Sequence, residues 1–240
     1  MLRGLKGRLG RFLANDPVAG NNCLRVAVRF VCWNQVPGDY LEFGCGFGRS
    51  FIEAYRLFQA TRASVGSELN AADRTTFERT RPRFFAFDSY QGLPEVTGVD
   101  QHPYLPLHWK KAEYAFSVEA FKGALREAEV AEADVRIVDG WYGSTLTGAT
   151  KTRHELSKAA LVHVDCDYYE SAVLVLDFVT DLVQDGTVIV FDDYNFFRGS
   201  PRLGERRAFG EWLERNSHLQ AIELARHDFS STAFYLAARA

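Results

Sequence analysis

A single α/β domain on one mostly parallel sheet is the fold this 240-residue sequence predicts, and three observations predict it. Short apolar runs such as Ala160-Leu161-Val162-His163-Val164 and Thr187-Val188-Ile189-Val190-Phe191 alternate with longer segments of helical periodicity, the pattern of buried parallel strands joined by crossover helices. Asp39-Tyr40-Leu41-Glu42-Phe43 passes straight into Gly44-Cys45-Gly46-Phe47-Gly48, a strand closed by a glycine turn. Two of the apolar runs end in carboxylates, Asp165-Cys166-Asp167 and Asp192-Asp193. An apolar content of 47% suits one core of this size.

The first fifteen residues place Leu2, Leu5, Leu9, Phe12 and Leu13 at helical spacing, with Arg3, Lys6, Arg8 and Arg11 between them. A basic amphipathic helix suits an anionic membrane surface or a transit peptide. The narrow, short apolar face favours packing on its own domain or on a second subunit, and a homo-oligomer is expected. The segment is too short and too charged to span a bilayer. Residues 1–36 therefore read as an N-terminal helical segment and residues 37–240 as the domain.

The first strand, 39–43, is entered through the turn Pro37-Gly38. After the glycine loop a helix over 49–59 carries Phe51, Ile52, Tyr55 and Phe58 on one side. Residues 60–82 are a polar excursion with a second helix around 71–79. Phe84-Phe85-Ala86-Phe87 is the second strand, closed by Asp88. The irregular segment 89–113 gathers His102, Tyr104, His108 and Trp109 among prolines; it reads either as a cover over substrate or as a packed loop with exposed tips. Ser117 caps a helix over 117–127. Strands follow at 135–138, 161–164 and 187–191, with helices over 169–183 and 205–216. Runs at 219–224 and 232–237 close the sheet as an antiparallel pair, seven strands in all.

The net charge of -3, with no dominant basic run, argues against a nucleic-acid partner. Cys23, Cys32, Cys45 and Cys166 show neither zinc-site spacing nor a disulfide framework. Reduced thiols without a secretory signal point to the cytoplasm.

In an open α/β sheet, ligands bind beyond the carboxyl ends of the strands, where these aspartates fall. Four carboxylates there repel one another unless they are protonated or neutralised, and a hard divalent cation is the simplest neutraliser. Helix capping is the plain alternative, but two neighbouring strand ends carrying the pattern favour a metal or catalytic role. Asp165 and Asp167 point the same way if the strand persists, whereas Asp192 and Asp193 diverge in a strand. At least one of the latter must lie in a turned end or act from behind the ligands. Asn195 is either an oxygen ligand or a turn residue. His163, inside a strand, reads as a buried, hydrogen-bonded histidine.

The glycine loop departs from G-x-G-x-x-G, the dinucleotide pattern, because its third glycine comes one residue early and Glu42 stands two before the first. Adenosine cofactors are commonly held by an acid at the end of the second strand. Asp88 closes a convincing strand. Glu68 has the customary spacing of about twenty residues, but 63–67 is a poor strand, and the choice of Asp88 implies an inserted segment after the first helix. A nucleotide-dependent oxidoreductase using Glu68, or a non-catalytic cofactor-binding module, are the competing readings. Trp141 either stacks beside an adenine or joins the core.

Glu42-x-Gly44-x-Gly46-x-Gly48 resembles motif I of class I S-adenosylmethionine-dependent methyltransferases. Phe87-Asp88-Ser89-Tyr90-Gln91-Gly92-Leu93-Pro94, Asp139-Gly140-Trp141-Tyr142-Gly143-Ser144-Thr145-Leu146, Asp165-Cys166-Asp167-Tyr168-Tyr169-Glu170-Ser171 and Phe191-Asp192-Asp193-Tyr194 follow in order. Together these stretches resemble the macrocin O-methyltransferase-like (TylF/MycF) group of that class. The resemblance implies a Rossmann-like class I methyltransferase domain and magnesium-dependent methylation of a sugar hydroxyl. It implies S-adenosylmethionine at Glu42, Gly44, Gly46, Gly48, Asp88, Ser89 and Trp141, Mg2+ on Asp165, Asp192 and Asp193, and Asp167 as general base.

Overall fold

The protein, seen as a computed structural model, is described over residues 22–239; the amphipathic segment expected over the first fifteen residues lies outside them. The strands are β1 (Asp39–Phe43), β2 (Phe84–Asp88), β3 (Val135–Asp139), β4 (Ala159–Val164), β5 (Val188–Phe191), β6 (Leu219–His227) and β7 (Ser231–Ala238). They form a seven-stranded sheet in the order β3-β2-β1-β4-β5-β7-β6. β1 to β5 pair in parallel, while β7 runs antiparallel to both β5 and β6. The strand order reverses between β1 and β4, which makes the crevice at their carboxyl ends the expected ligand position.

The helices are α1 (Asn22–Trp33), α2 (Arg49–Glu68), α3 (Ala71–Arg79), α4 (Val118–Glu127), α5 (Tyr142–Thr145), α6 (Gly148–Arg153), α7 (Tyr169–Val179) and α8 (Gly204–Arg215). Alternation along the strands feeds two cores. Tyr40, Phe84, Leu161 and Val190 pack with Cys23, Leu24, Ala27, Val28 and Val31 of α1 and Phe51 of α2. Leu41, Phe87, Val162 and Ile189 pack on the opposite face with Val175 and Leu176 of α7 and Phe209 and Trp212 of α8. Each face buries full aromatic side chains, each contributing roughly 1.5–3 kcal/mol by removal from water. Among the described residues no helix is long and apolar enough to cross a membrane.

Several elements differ from the sequence reading. The helix after the glycine loop runs to Glu68, not residue 59. Its added turns bury only Val65, and Arg62 lays its guanidinium over the Phe77 ring of α3 at 3.9 Å, so a polar-looking stretch still has a packed side. Residues 63–67 are thus helical, and Asp88, not Glu68, ends the second strand. α7 stops at Val179 rather than residue 183: Thr180 turns its hydroxyl back to the Leu176 carbonyl and accepts a bond from Trp212 Nε1. α5 and α6 are too short to show periodicity.

The segment 89–113 is packed at its base. Leu93 and Trp109 share a buried cluster with Tyr168, Phe197 and Leu203. Buried Asp100 accepts the amides of Tyr169 and Gly204 at 2.6 and 2.9 Å, tying the loop to the starts of α7 and α8. Its tip is exposed, with Leu107 at 92%.

Candidate active site

The carboxyl ends of β1, β2, β4 and β5 open onto a cleft of about 1390 Å³. Gly44 leaves β1 at φ 94°, donating its amide to the Phe87 carbonyl at 2.9 Å. A Cβ there would lie 1.7 Å from the Asp165 carbonyl oxygen, so glycine is required where the two strand ends touch. The Gly46 amide donates to Asp88 Oδ2 at 2.8 Å, and Asp88 Oδ1 accepts the Tyr90 amide at 2.6 Å. Ser89 Oγ accepts the Gln91 amide at 3.1 Å. The carboxylate that ends β2 therefore shapes the loop that ends β1.

Gly44, Gly46, Asp88, Ser89 and Trp141 line the cleft. Trp141 is 41% exposed, facing the opening rather than the core. The structure places Glu42 and Gly48 elsewhere. Glu42 is fully buried behind the wall, accepting bonds from Tyr40 Oη and from Ser50 Oγ (2.6 Å), and Ser50 is its link to the cleft. Gly48 opens α2 at φ 90°, where a Cβ would meet the Phe121 ring at 2.9 Å; its role there is packing.

Asp165, Asp192 and Asp193 each bring a carboxylate oxygen within 4.8 Å of the others. The neighbours Asp192 and Asp193 converge because β5 ends at Phe191 and the chain bends. The Asp192 amide still donates to the Val164 carbonyl (3.0 Å), while the Asp193 amide turns to Glu205 Oε2 (3.1 Å). Asp192 Oδ1 also accepts Ser231 Oγ at 2.9 Å. β4 likewise ends at Val164, and Asp167 is itself left-handed, φ 64°, so its side chain is not placed by strand alternation. It is buried and hydrogen-bonded to Asp193.

Asn195 serves the turn. Its amide donates to the Ser230 carbonyl and Thr232 Oγ1, and its oxygen accepts from Arg206. Glu205, fully buried beneath both acidic strand ends, escaped the sequence reading. An acid in the first turn of a helix is ordinary, and nothing in its spacing marked it.

Burial, then the neighbouring carboxylates, pushes Asp165 and Asp193 well above the usual carboxylate range. Burial also lifts Asp167 to about 7, against its hydrogen bond to Asp193. Such a cluster favours whatever brings positive charge. Three hard oxygen donors within reach of one point fit a divalent cation such as Mg2+.

His163 is buried as expected, with Nδ1 3.5 Å from Tyr40 Oη and 3.6 Å from Glu42. Burial opposes its charge, but Glu42 outweighs burial and its pKa is raised. Aromatic rings also line the cleft: Trp109, Tyr114, Phe116 and Phe196, with His108, and Phe116 packs on Phe47 of the glycine loop.

Two curated relatives are 28% identical over 71% of this chain. One is 8-demethyl-8-(2,3-dimethoxy-alpha-L-rhamnosyl)-tetracenomycin-C 4'-O-methyltransferase of Streptomyces olivaceus. The other is demethyldecarbamoylnovobiocin O-methyltransferase of Streptomyces niveus. The match spans 58% of the length of each. Among solved structures, CalS11, a calicheamicin methyltransferase, superposes with a TM-score of 0.68 at 20% identity, over 97% of this chain and 91% of its own. The O-methyltransferase NovP gives 0.66 at 23% identity, over 90% and 78%. These likenesses show the class I methyltransferase fold. The Macrocin-O-methyltransferase (TylF) family model matches residues 20–206, and the chain belongs to that family.

Proposed function

We propose that this chain is an S-adenosylmethionine-dependent, Mg2+-assisted O-methyltransferase acting on a hydroxyl of a sugar or glycosylated small molecule. The observation that carries the reading is the contact of Gly44 with Asp165, which joins the glycine loop and Asp88 to the acidic trio in one cleft. Family membership and one relative's action on a rhamnosyl-bearing tetracenomycin support it.

Bound S-adenosylmethionine supplies an already activated methyl group, so the chain has chiefly to position the partners and exclude water. Asp88 would hold the ribose hydroxyls with the lone pairs that Gly46 and Tyr90 leave open. Trp141 offers an exposed ring face for the adenine. Asp165, Asp192 and Asp193 would hold Mg2+, whose charge would make an acceptor hydroxyl more acidic. Asp167 takes up the hydroxyl proton on a carboxylate oxygen. Four buried, unpaired thiols support a reducing compartment, the cytoplasm.

Asp88→Ala is expected to weaken S-adenosylmethionine binding by about 1–3 kcal/mol, since charge-assisted bonds to the ribose and the Gly46 anchor go together. Titration calorimetry with unchanged affinity would move the ribose site elsewhere. The reaction class is tested by a labelled-methyl transfer screen over nucleotide sugars, glycosylated natural products and phenols. Transfer to phenols but to no sugar would overturn the acceptor assignment.

A further inference from the structure

Glu205 lies in the first turn of α8 yet gives both carboxylate oxygens to other elements. Oε1 accepts the amide of Cys166 at 3.4 Å and Oε2 the amide of Asp193 at 3.1 Å. The ladder joining β4 to β5 ends one step earlier, where the Asp192 amide meets the Val164 carbonyl. Beyond that rung the two strand ends have no backbone bond with which to hold their separation. The carboxylate of Glu205 spans the gap, linking the residue between Asp165 and Asp167 to Asp193 itself.

The mount is rigid. The amide of Gly204 is fixed by Asp100, and α8 is anchored in the core through Ala208, Phe209 and Trp212. Burial, then the charges of Asp167 and Asp192, pushes the Glu205 carboxyl well above its usual range, so a negative charge there is costly unless positive charge comes beside it. A packing role alone would be served as well by an apolar side chain, whereas a cation-binding centre uses both the charge and the bridge.

We propose that Glu205 is the positioning residue of the acidic centre: it sets the spacing of the β4 and β5 ends to which Asp165, Asp192 and Asp193 belong, and its charge strengthens the hold on a divalent cation. The inference rests on the metal reading given above and extends it to a residue outside the ligand set.

The test titrates the full-length chain with Mn2+, following free Mn2+ by electron paramagnetic resonance, and measures S-adenosylhomocysteine affinity by calorimetry in parallel. Glu205→Gln keeps length and one acceptor but loses the charge and turns an N–H towards an amide. It is expected to weaken Mn2+ binding by about tenfold or more, the scale of lost outer-sphere support, with S-adenosylhomocysteine affinity within about twofold of the parent. Unchanged Mn2+ affinity in Glu205→Gln, or equal weakening of Mn2+ and S-adenosylhomocysteine, overturns the proposal. A parent chain that binds no Mn2+ overturns the metal reading and this inference together, whereas tight binding by both parent and variant removes only this inference. The unsubstituted chain gives a second measurement. The amide protons of Cys166 and Asp193 are expected to exchange as slowly as those of β4, and rapid exchange at both would overturn the bridge.

Discussion

Asp167→Asn is expected to slow methyl transfer by about 10²–10⁴-fold, the usual worth of a positioned base, while metal and cofactor affinities stay close to those of the parent. The side chain is buried at the cleft, hydrogen-bonded to Asp193 but not one of the three carboxylates that converge on one point. Asparagine has nearly the same shape and retains a hydrogen-bonding edge towards Asp193, so the neighbouring ligands should hold their places. It cannot accept the acceptor's proton. Removing one charge from a crowded acidic centre should leave thermal stability unchanged or raised, the reverse of what a structural cap would show. Single-turnover rates measured beside Mn2+ and cofactor titrations separate the cases. A rate near that of the parent would mean that the proton leaves by another route, and joint loss of rate and Mn2+ affinity would make Asp167 a ligand.

The strands that build this site were legible because buried parallel strands show as bare apolar runs, and Asp39–Phe43 coincides with its expected range. The grouping of Asp165, Asp192 and Asp193 was legible as a set of types at strand ends. What lay beyond alternation was backbone after the strand has stopped. The bend past Phe191 brings two adjacent aspartates together, and the left-handed turn at Asp167 re-aims a side chain that strand geometry would send elsewhere. Glu42 shows the converse limit. Its place in the glycine motif suggests contact with cofactor, but alternation puts it on the face of Tyr40, where its oxygens are already engaged. α5 and α6 offered no periodic signal over so few residues, and Glu205 looked like any acid at a helix start.

Chelation is expected to abolish turnover and Mg2+ to restore it, with Mn2+ an acceptable substitute on ligand grounds. Asp165→Asn and Asp192→Asn should each lose metal affinity, and high Mg2+ should restore part of the rate, because each removes one of three negative charges from the donor set and leaves the cofactor loop intact. The same carboxylates give this requirement a signature in stability. Asp167 in the cation-free chain is lifted from its ordinary 3.8 to about 7, and burial with the neighbouring carboxylates raises Asp165 and Asp193 well above the usual range too. A raised carboxyl binds its proton more tightly folded than unfolded, so between about pH 4 and 7 the native state carries the extra protons and stability falls as pH rises. Metal-free chain should therefore melt higher near pH 5 than near pH 7.5. Saturating Mg2+ should remove most of that slope by stabilising the ionised cluster, since a ligand selective for the folded state raises the midpoint. Scanning calorimetry with and without Mg2+ across this range makes the comparison. Full turnover in chelator, with a melting profile indifferent to Mg2+, would mean that the aspartates cap their helices and that the transfer reaction proceeds without a cation.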